Sequence, residues 1–172
     1  FILTMRDSKL NGNGVTDGTG SSYSHFVSGL VTTNGNGTVE INATNTQFNG
    51  NGVASGTDSI VSGNASGVIM LNGSGNSTIN AMNSTFNNNA SAFGNGGSSD
   101  STGLLAENYA GNLTINATNS QFNNNGVASG VNSNLDGNTA GIDAENNTTG
   151  TLTINANNSQ FNGNAVASGS GS

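Results

Sequence analysis

The apolar positions of this chain are few and periodic. The stretches Leu113-Thr114-Ile115-Asn116-Ala117 and Leu152-Thr153-Ile154-Asn155-Ala156 alternate strictly between apolar and polar residues. A period of two belongs to a β-strand with one face inward and one outward. The phrase that runs from Ile41 to Asn49 returns with small changes from Ile79 to Asn87, from Ile115 to Asn123 and from Ile154 to Asn162. A worn copy, Leu3 to Asn11, opens the chain with Leu10 where the others have Phe48, Phe86, Phe122 and Phe161. Successive copies lie 36 to 39 residues apart. A fixed period within roughly 20–50 residues marks a solenoid, propeller or array.

A second apolar stretch precedes each alternating one: Leu30-Val31-Thr32, Val68-Ile69-Met70-Leu71, Leu104-Leu105-Ala106 and Ile142-Asp143-Ala144. Each follows a glycine, at Gly29, Gly67, Gly103 and Gly141. Polar turns such as Asn34-Gly35-Asn36-Gly37 join the two stretches. After the alternating stretch comes Asn45, Asn83, Asn119 or Asn158, a residue whose short amide tolerates left-handed backbone. A third short strand, of the form Ser-Gln-Phe, then closes each copy. Three strands joined by turns make one coil of a parallel β-helix. A helical reading fails, because Asn, Gly, Ser and Thr form helices poorly and no 3.6-residue stripe is present. The expected fold is all-β: a parallel β-helix (β-solenoid) of about five sequence repeats of about 38 residues. It forms one domain over 1–172, with repeats near 1–28, 29–66, 67–102, 103–140 and 141–172.

The segment after each Phe carries its own echo, Val53-Ala54-Ser55-Gly56, Val127-Ala128-Ser129-Gly130 and Val166-Ala167-Ser168-Gly169. Two readings stand. The favoured one is an ordered excursion of a single large coil. The other is a second coil per repeat, cornered at Gly56, Gly94 and Gly130.

Stacked coils lie about 4.8 Å apart, so equivalent positions form ladders. Ile41, Ile79, Ile115 and Ile154 are expected as an inward aliphatic ladder. Phe48, Phe86, Phe122 and Phe161 are expected as an aromatic stack capped by Leu10. Asn51, Asn89, Asn125 and Asn164, with Asn13 in the worn copy, are expected as an amide ladder at a corner, each satisfying its neighbour along the axis.

Composition supports the solenoid. Only 31% of the residues are hydrophobic and 6% charged. A globule of ordinary composition is about 45–50% apolar and about 25% charged. A solenoid needs few apolar residues per coil, because each coil buries its core against its neighbours. The net charge of −7, with two basic residues in the chain, excludes a phosphate-binding surface and hence a nucleic-acid partner. No apolar run approaches the roughly 20 residues of a membrane span, so membrane insertion is not expected. No Cys is present, so neither disulfides nor thiolate metal sites enter. No cofactor is expected. The chain opens at Phe1 inside a repeat, as expected of a processed chain, a cut from a longer array, or an edge built to be covered.

Leu113-Thr114-Ile115 followed by Asn119-Ser120-Gln121-Phe122-Asn123-Asn124-Asn125 resembles the LTI…NSxFxxN repeat of right-handed parallel β-helix surface proteins. Polymorphic outer-membrane proteins of chlamydiae and many bacterial adhesins carry it. Their partner motif, Gly-Gly-Ala-Ile, is present here only in degenerate forms such as Gly67-Val68-Ile69. The resemblance implies an exported, structural or adhesive role at the cell surface, with a host-surface or glycan ligand as its natural partner.

Candidate chemistry is sparse. His25 lies outside the repeats and reads as a loop histidine. Glu107 and Glu145 hold equivalent positions in successive copies, with Asp143 two residues before Glu145. All three are expected to project outward on one face. They read as a solvated acidic patch, with a cation site or a glycoside-cleaving pair as the rival. The expected function is a non-enzymatic structural or adhesive extracellular protein whose copies stack head-to-tail into a fibre. The assembly edge would be Phe1, Ile2, Leu3, Thr4 and Met5, pairing with Leu152-Thr153-Ile154 of the next copy, and outward Ile69 and Leu71 would form a lateral apolar spot. The alternative is a carbohydrate-active enzyme, a polysaccharide lyase or hydrolase, on the same scaffold.

Overall fold

The computed structural model describes residues 1–16, 19, 22–23, 25–54, 60–61, 63–92, 97–98, 100–129, 134–135 and 137–168. It contains no helix among them, and every strand pairing is parallel. Four sheets run along one axis. The alternating stretches make a five-stranded sheet, here sheet I: Ile2–Arg6, Val39–Thr44, Ser77–Met82, Leu113–Thr118 and Leu152–Asn157. The glycine-led apolar stretches make the four-stranded sheet II: Val27–Asn34, Ala65–Asn72, Ser101–Ala110 and Thr139–Thr149. Each strand pairs with its counterpart one repeat away, Ile41 with Ile79 and Ile115 with Ile154. One repeat is therefore one coil.

The segment after the Phe is more regular than an excursion. Val15–Thr16, Val53–Ala54, Ser91–Ala92, Val127–Ala128 and Val166–Ala167 form a third sheet of five two-residue strands. Four further short strands, Ser22–Tyr23, Ile60–Val61, Gly97–Ser98 and Asn134–Leu135, form a fourth. The corners expected at Gly56, Gly94 and Gly130 lie outside the described residues. The expected Ser-Gln-Phe strand is reduced to single bridges, Lys9 to Gln47 to Thr85 to Gln121 to Gln160. Its shortness has a local cause. The chain turns through left-handed backbone just before it, at Asn45, Asn83, Asn119 and Asn158 (φ 49 to 51°), and again just after, at Gly50, Asn88, Asn124 and Gly163. Too few extended residues remain between the turns for a ladder.

Sheets I and II close over the main core. Ile41, Ile79 and Ile115 are buried between the sheets with Val68, Met70, Leu104 and the rings of Phe48, Phe86 and Phe122. The rings stack face to face, with centroids 4.9, 4.6 and 4.9 Å apart from Phe48 through to Phe161 and planes within 14°. The axial repeat imposes this geometry: rings at the same site of adjacent coils must lie one strand spacing apart. Leu10 packs against the same core from the first coil. A second, smaller core holds Ala54, Ala65 and Ala90.

Glycine is required where sheet II approaches the Phe stack. A Cβ on Gly67 would sit 2.7 Å from the Gly103 carbonyl oxygen and 3.0 Å from Phe48 Cβ. The turn from sheet II to sheet I uses a second glycine ladder, Gly37, Gly75, Gly111 and Gly150, at φ 101 to 110°, a region side-chain-bearing residues avoid.

Amides tie the coils together. Asn13, Asn51, Asn89 and Asn125 each donate from Nδ2 to Oδ1 of the next Asn along, over 2.9, 2.9, 3.0 and 3.1 Å, ending at Asn164. The same Oδ1 atoms also accept the backbone N–H of the preceding Asn. Asn51, Asn89 and Asn125 are fully buried, so these bonds replace lost water contacts. Buried hydroxyls are handled alike: Ser84 Oγ donates to carbonyls of Ala43 and Met82 and accepts the Thr46 N–H.

Two expectations follow. Phe122→Ala should lower stability by roughly 3–5 kcal/mol, because it opens a cavity between two rings that cannot close up. Thr114→Ala on the outer face of sheet I should stay within about 0.5 kcal/mol. Urea denaturation of both variants measures the contrast. Asn89→Ala, which strands the Asn51 amide and removes the acceptor it points to, should cost about 1–3 kcal/mol by the same measurement. A loss near zero would show that the buried ladder carries no net stability.

Candidate functional site

Sheet II presents its outer face in rows that run along the axis. Register places Val31, Ile69, Leu105 and Asp143 in one row and Thr33, Leu71, Glu107 and Glu145 in the next. The lateral apolar spot expected at Ile69 and Leu71 is not there: Ile69 is fully buried and Leu71 half-buried. Six consecutive residues, Ala65 to Met70, are buried, so this part of the strand is covered on both faces. Alternation alone could not show that.

The three carboxylates do not share one environment. Glu107 and Glu145 lie side by side in register, while Asp143 sits opposite Leu105, one row away. Glu145 is exposed, whereas Glu107 and Asp143 are half-buried. Burial holds the Glu107 carboxyl above its ordinary value of 4.5, and the charges of Glu145, Asp143 and Asp100 push it further the same way. No group of three or more His, Cys, Asp or Glu side chains is arranged to hold a metal ion among the described residues. His25 is exposed beside Phe26, away from these carboxylates in the chain's coil order.

Beside Glu107 lies a shallow groove of about 350 Å³, lined by Thr33, Asn34, Leu71, Gly73, Glu107, Tyr109 and, on the last coil, Asn147. Tyr109 is 59% exposed, and the sequence reading had passed over it. Its signal was present: it is the one aromatic residue in the row that reads Gly35, Gly73, Tyr109 in successive coils. Facing it, the last strand of sheet II carries a bulge. Asn108 pairs with Asn146 and Ala110 with Thr149, so both Asn147 and Thr148 stand opposite Tyr109. Bulges re-aim side chains and interrupt regular pairing.

The outer face of sheet I is different. Asn155, Asn116 and Asn80 donate in turn to Asn116, Asn80 and Asn42 over 2.7 to 2.8 Å. This second ladder, and a third through Asn34, Asn72, Asn108 and Asn146, were not foreseen. Both could have been found by the rule that located the first, identity at a fixed offset. Asn116 is outward yet half-buried and doubly bonded, so it is no neutral surface position.

The ladder positions complete the picture at the chain's two end coils. Ile41, Ile79 and Ile115 are at most 1% exposed, but Ile154 is 46% exposed and Phe161 42%. The strands Ile2–Arg6 and Leu152–Asn157 are the two edges of sheet I. Phe1 and Ile2 are exposed, and Leu3 and Met5 half-buried, with Thr4 outward.

These features define a parallel β-solenoid held by asparagine, glycine and phenylalanine ladders. Comparison with protein-family models, curated proteins and solved structures finds no match.

The raised Glu107 carboxyl has a stability consequence of definite sign. A carboxyl whose folded value exceeds its unfolded one binds its proton more tightly in the fold. Stability from this group is therefore present below about pH 4.5 and declines as pH rises through the folded value. Glu107→Gln should flatten that decline, so the variant gains on the parent between pH 4 and pH 7 in paired denaturation curves.

Proposed function

We propose that this chain is a structural and adhesive solenoid element, displayed outside the cell, whose copies stack end to end. The observation that carries the reading is self-complementarity along the axis: the first coil presents Leu3 in register with the Ile ladder and packs Leu10 against the core, as each later coil does toward its neighbour. Leu152, Ile154 and Phe161 stand 40 to 46% exposed where their equivalents Leu113, Ile115 and Phe122 are fully buried. A following coil is what buries these positions everywhere else in the molecule. The edge strand Ile2–Arg6 of a second copy has the matching register, with Leu3 in the place of each inward Ile and Leu10 in that of each Phe.

The amide ladder supports one direction of stacking. Its donors point from the first coil toward the last, so the final Asn164 Oδ1 is an acceptor already filled by Asn125. In head-to-tail stacking Asn13 Oδ1 would face the backbone N–H of Asn164 in a preceding copy; the Asn164 Nδ2 donates to the Phe122 carbonyl in the isolated chain. Head-to-head contact would set acceptor against acceptor. It would also set like charges together, since both cations of the chain, Arg6 and Lys9, lie in the first coil. A head-to-tail contact does not close on itself and so yields a filament. The extracellular location and the kinship to surface adhesins rest on the repeat resemblance, Leu113-Thr114-Ile115 through Asn125.

A carbohydrate-active enzyme is the second reading, favoured by the adjacent Glu107 and Glu145. Replacing Glu107, Asp143 and Glu145 together separates the two: glycan cleavage lost with assembly intact supports the enzyme.

The stacking reading has a direct test. Thr4→Pro removes an N–H on the open side of the edge strand and sterically blocks strand addition there, because the ladder phase turns the N–H groups of Leu3, Met5 and Asp7 toward the neighbouring strand instead. The variant should remain folded by circular dichroism yet fail to form filaments in sedimentation and electron microscopy. Filaments of parental length from this variant would overturn the stacking reading.

A further inference from the structure

The groove on sheet II has the composition of a sugar-binding site. Its floor is apolar and low, because Gly35 and Gly73 precede Tyr109 in the axial row and leave no side chains beside the ring. The floor cannot fill by a simple substitution: a Cβ on Gly73 would strike the Gly35 carbonyl. Leu71 and Tyr109 provide the apolar surface, and Glu107 provides a carboxylate at the rim.

The polar groups here also differ from those around them. Asn34 and Asn72, at the edge of this groove, are bound into an amide ladder. Among the described residues, the Tyr109 hydroxyl, the Glu107 carboxylate and the exposed Asn147 amide have no hydrogen-bond partner. The bulge at Asn147 and Thr148 breaks the ladder register at this point, and Thr148 Oγ1 is drawn to the Tyr109 carbonyl. A polar ligand therefore meets donors and acceptors that need not first be detached from protein partners.

We infer that this groove binds a glycan built of neutral or amino sugars, with a pyranose ring against Tyr109 and its hydroxyl or amino groups on Glu107 and Asn147. A sugar ring carries C–H bonds on one face and hydroxyls at its edge, which matches an aromatic and aliphatic wall rimmed by a carboxylate and an amide. Glu107, Glu145 and Asp143 repel acidic sugars, so uronic-acid polymers are excluded. The inference names the ligand for the adhesive half of the function proposed above and is independent of stacking.

The test is calorimetric titration of the full chain with four soluble series: oligomers of glucose, of N-acetylglucosamine, of glucosamine and of galacturonic acid. At least one neutral or amino series should bind with a Kd of roughly 1 mM or tighter. Tyr109→Ala should weaken it about tenfold or more without moving the melting temperature, since the side chain is exposed. Glu107→Gln should weaken the glucosamine series more than the neutral ones. Thr153→Ala, on the other sheet, should leave affinity unchanged. The inference is overturned if no neutral or amino series binds at about 10 mM, if galacturonate binds equally well, or if Tyr109→Ala retains full affinity. Sedimentation of the same samples reads assembly separately: binding without filaments sustains this inference and sinks stacking, and filaments without binding do the reverse.

Discussion

Parallel pairing between consecutive coils is the constraint on which the rest depends. Every strand of this chain hydrogen-bonds to its own counterpart one repeat away. Each side chain thereby meets its own equivalent at about the strand spacing. Only certain residues tolerate being their own neighbours. A phenylalanine ring stacks on a copy of itself, an asparagine both donates to and accepts from a copy of itself, and a glycine lets its copy's carbonyl approach. Lysine and glutamate repel their copies. The near absence of charge, 6% of residues, follows from the same geometry; where a carboxylate pair does stack, Glu107 beside Glu145, the Glu107 carboxyl is raised, by burial first and by the Glu145 charge next.

That constraint also explains what could be read in advance. Ile115, Phe122, Asn119 and Asn125 recur at fixed offsets, so the coil, its inward faces and its left-handed bends were legible from the repeat alone. One coil or two per repeat was open in the sequence, and the pairing of each strand with its counterpart one repeat away makes it one. Features that do not repeat escape a rule built on recurrence. Tyr109 stands where the two preceding coils have Gly35 and Gly73, and the Asn147–Thr148 bulge arises from one extra residue in the last strand of sheet II. The burial of Ile69 was missed for a different reason. Alternation assigns a residue to a face, but it does not say whether that face is itself covered. The third strand failed because two left-handed turns crowd a segment that composition alone presents as extended.

Regularity and function are therefore opposed in this molecule. A ladder satisfies its own polar groups: Asn80 and Asn116 each hold and are held, leaving little for a ligand on sheet I. Binding requires groups outside any ladder. Tyr109, Glu107 and Asn147 are such groups, and they stand where the repeat departs from itself. A second departure is positional. The end coils keep ladder residues but lack a neighbour on one side, which leaves Ile154 and Phe161 in solvent.

The two departures answer to different physics, and this permits them to coexist. In the proposed stacking the last coil would meet the first coil of the next copy, a heterologous contact that does not close on itself. The groove opens on the lateral face of the solenoid, across the outer face of sheet II. Axial stacking would repeat the groove once per chain along a filament. Weak individual sites held at a fixed spacing bind a polymeric ligand far more tightly than one site does, because after the first contact the others act at high effective concentration. If the proposed stacking and the proposed glycan binding both hold, the stacking would supply the multivalency that a shallow groove lacks alone.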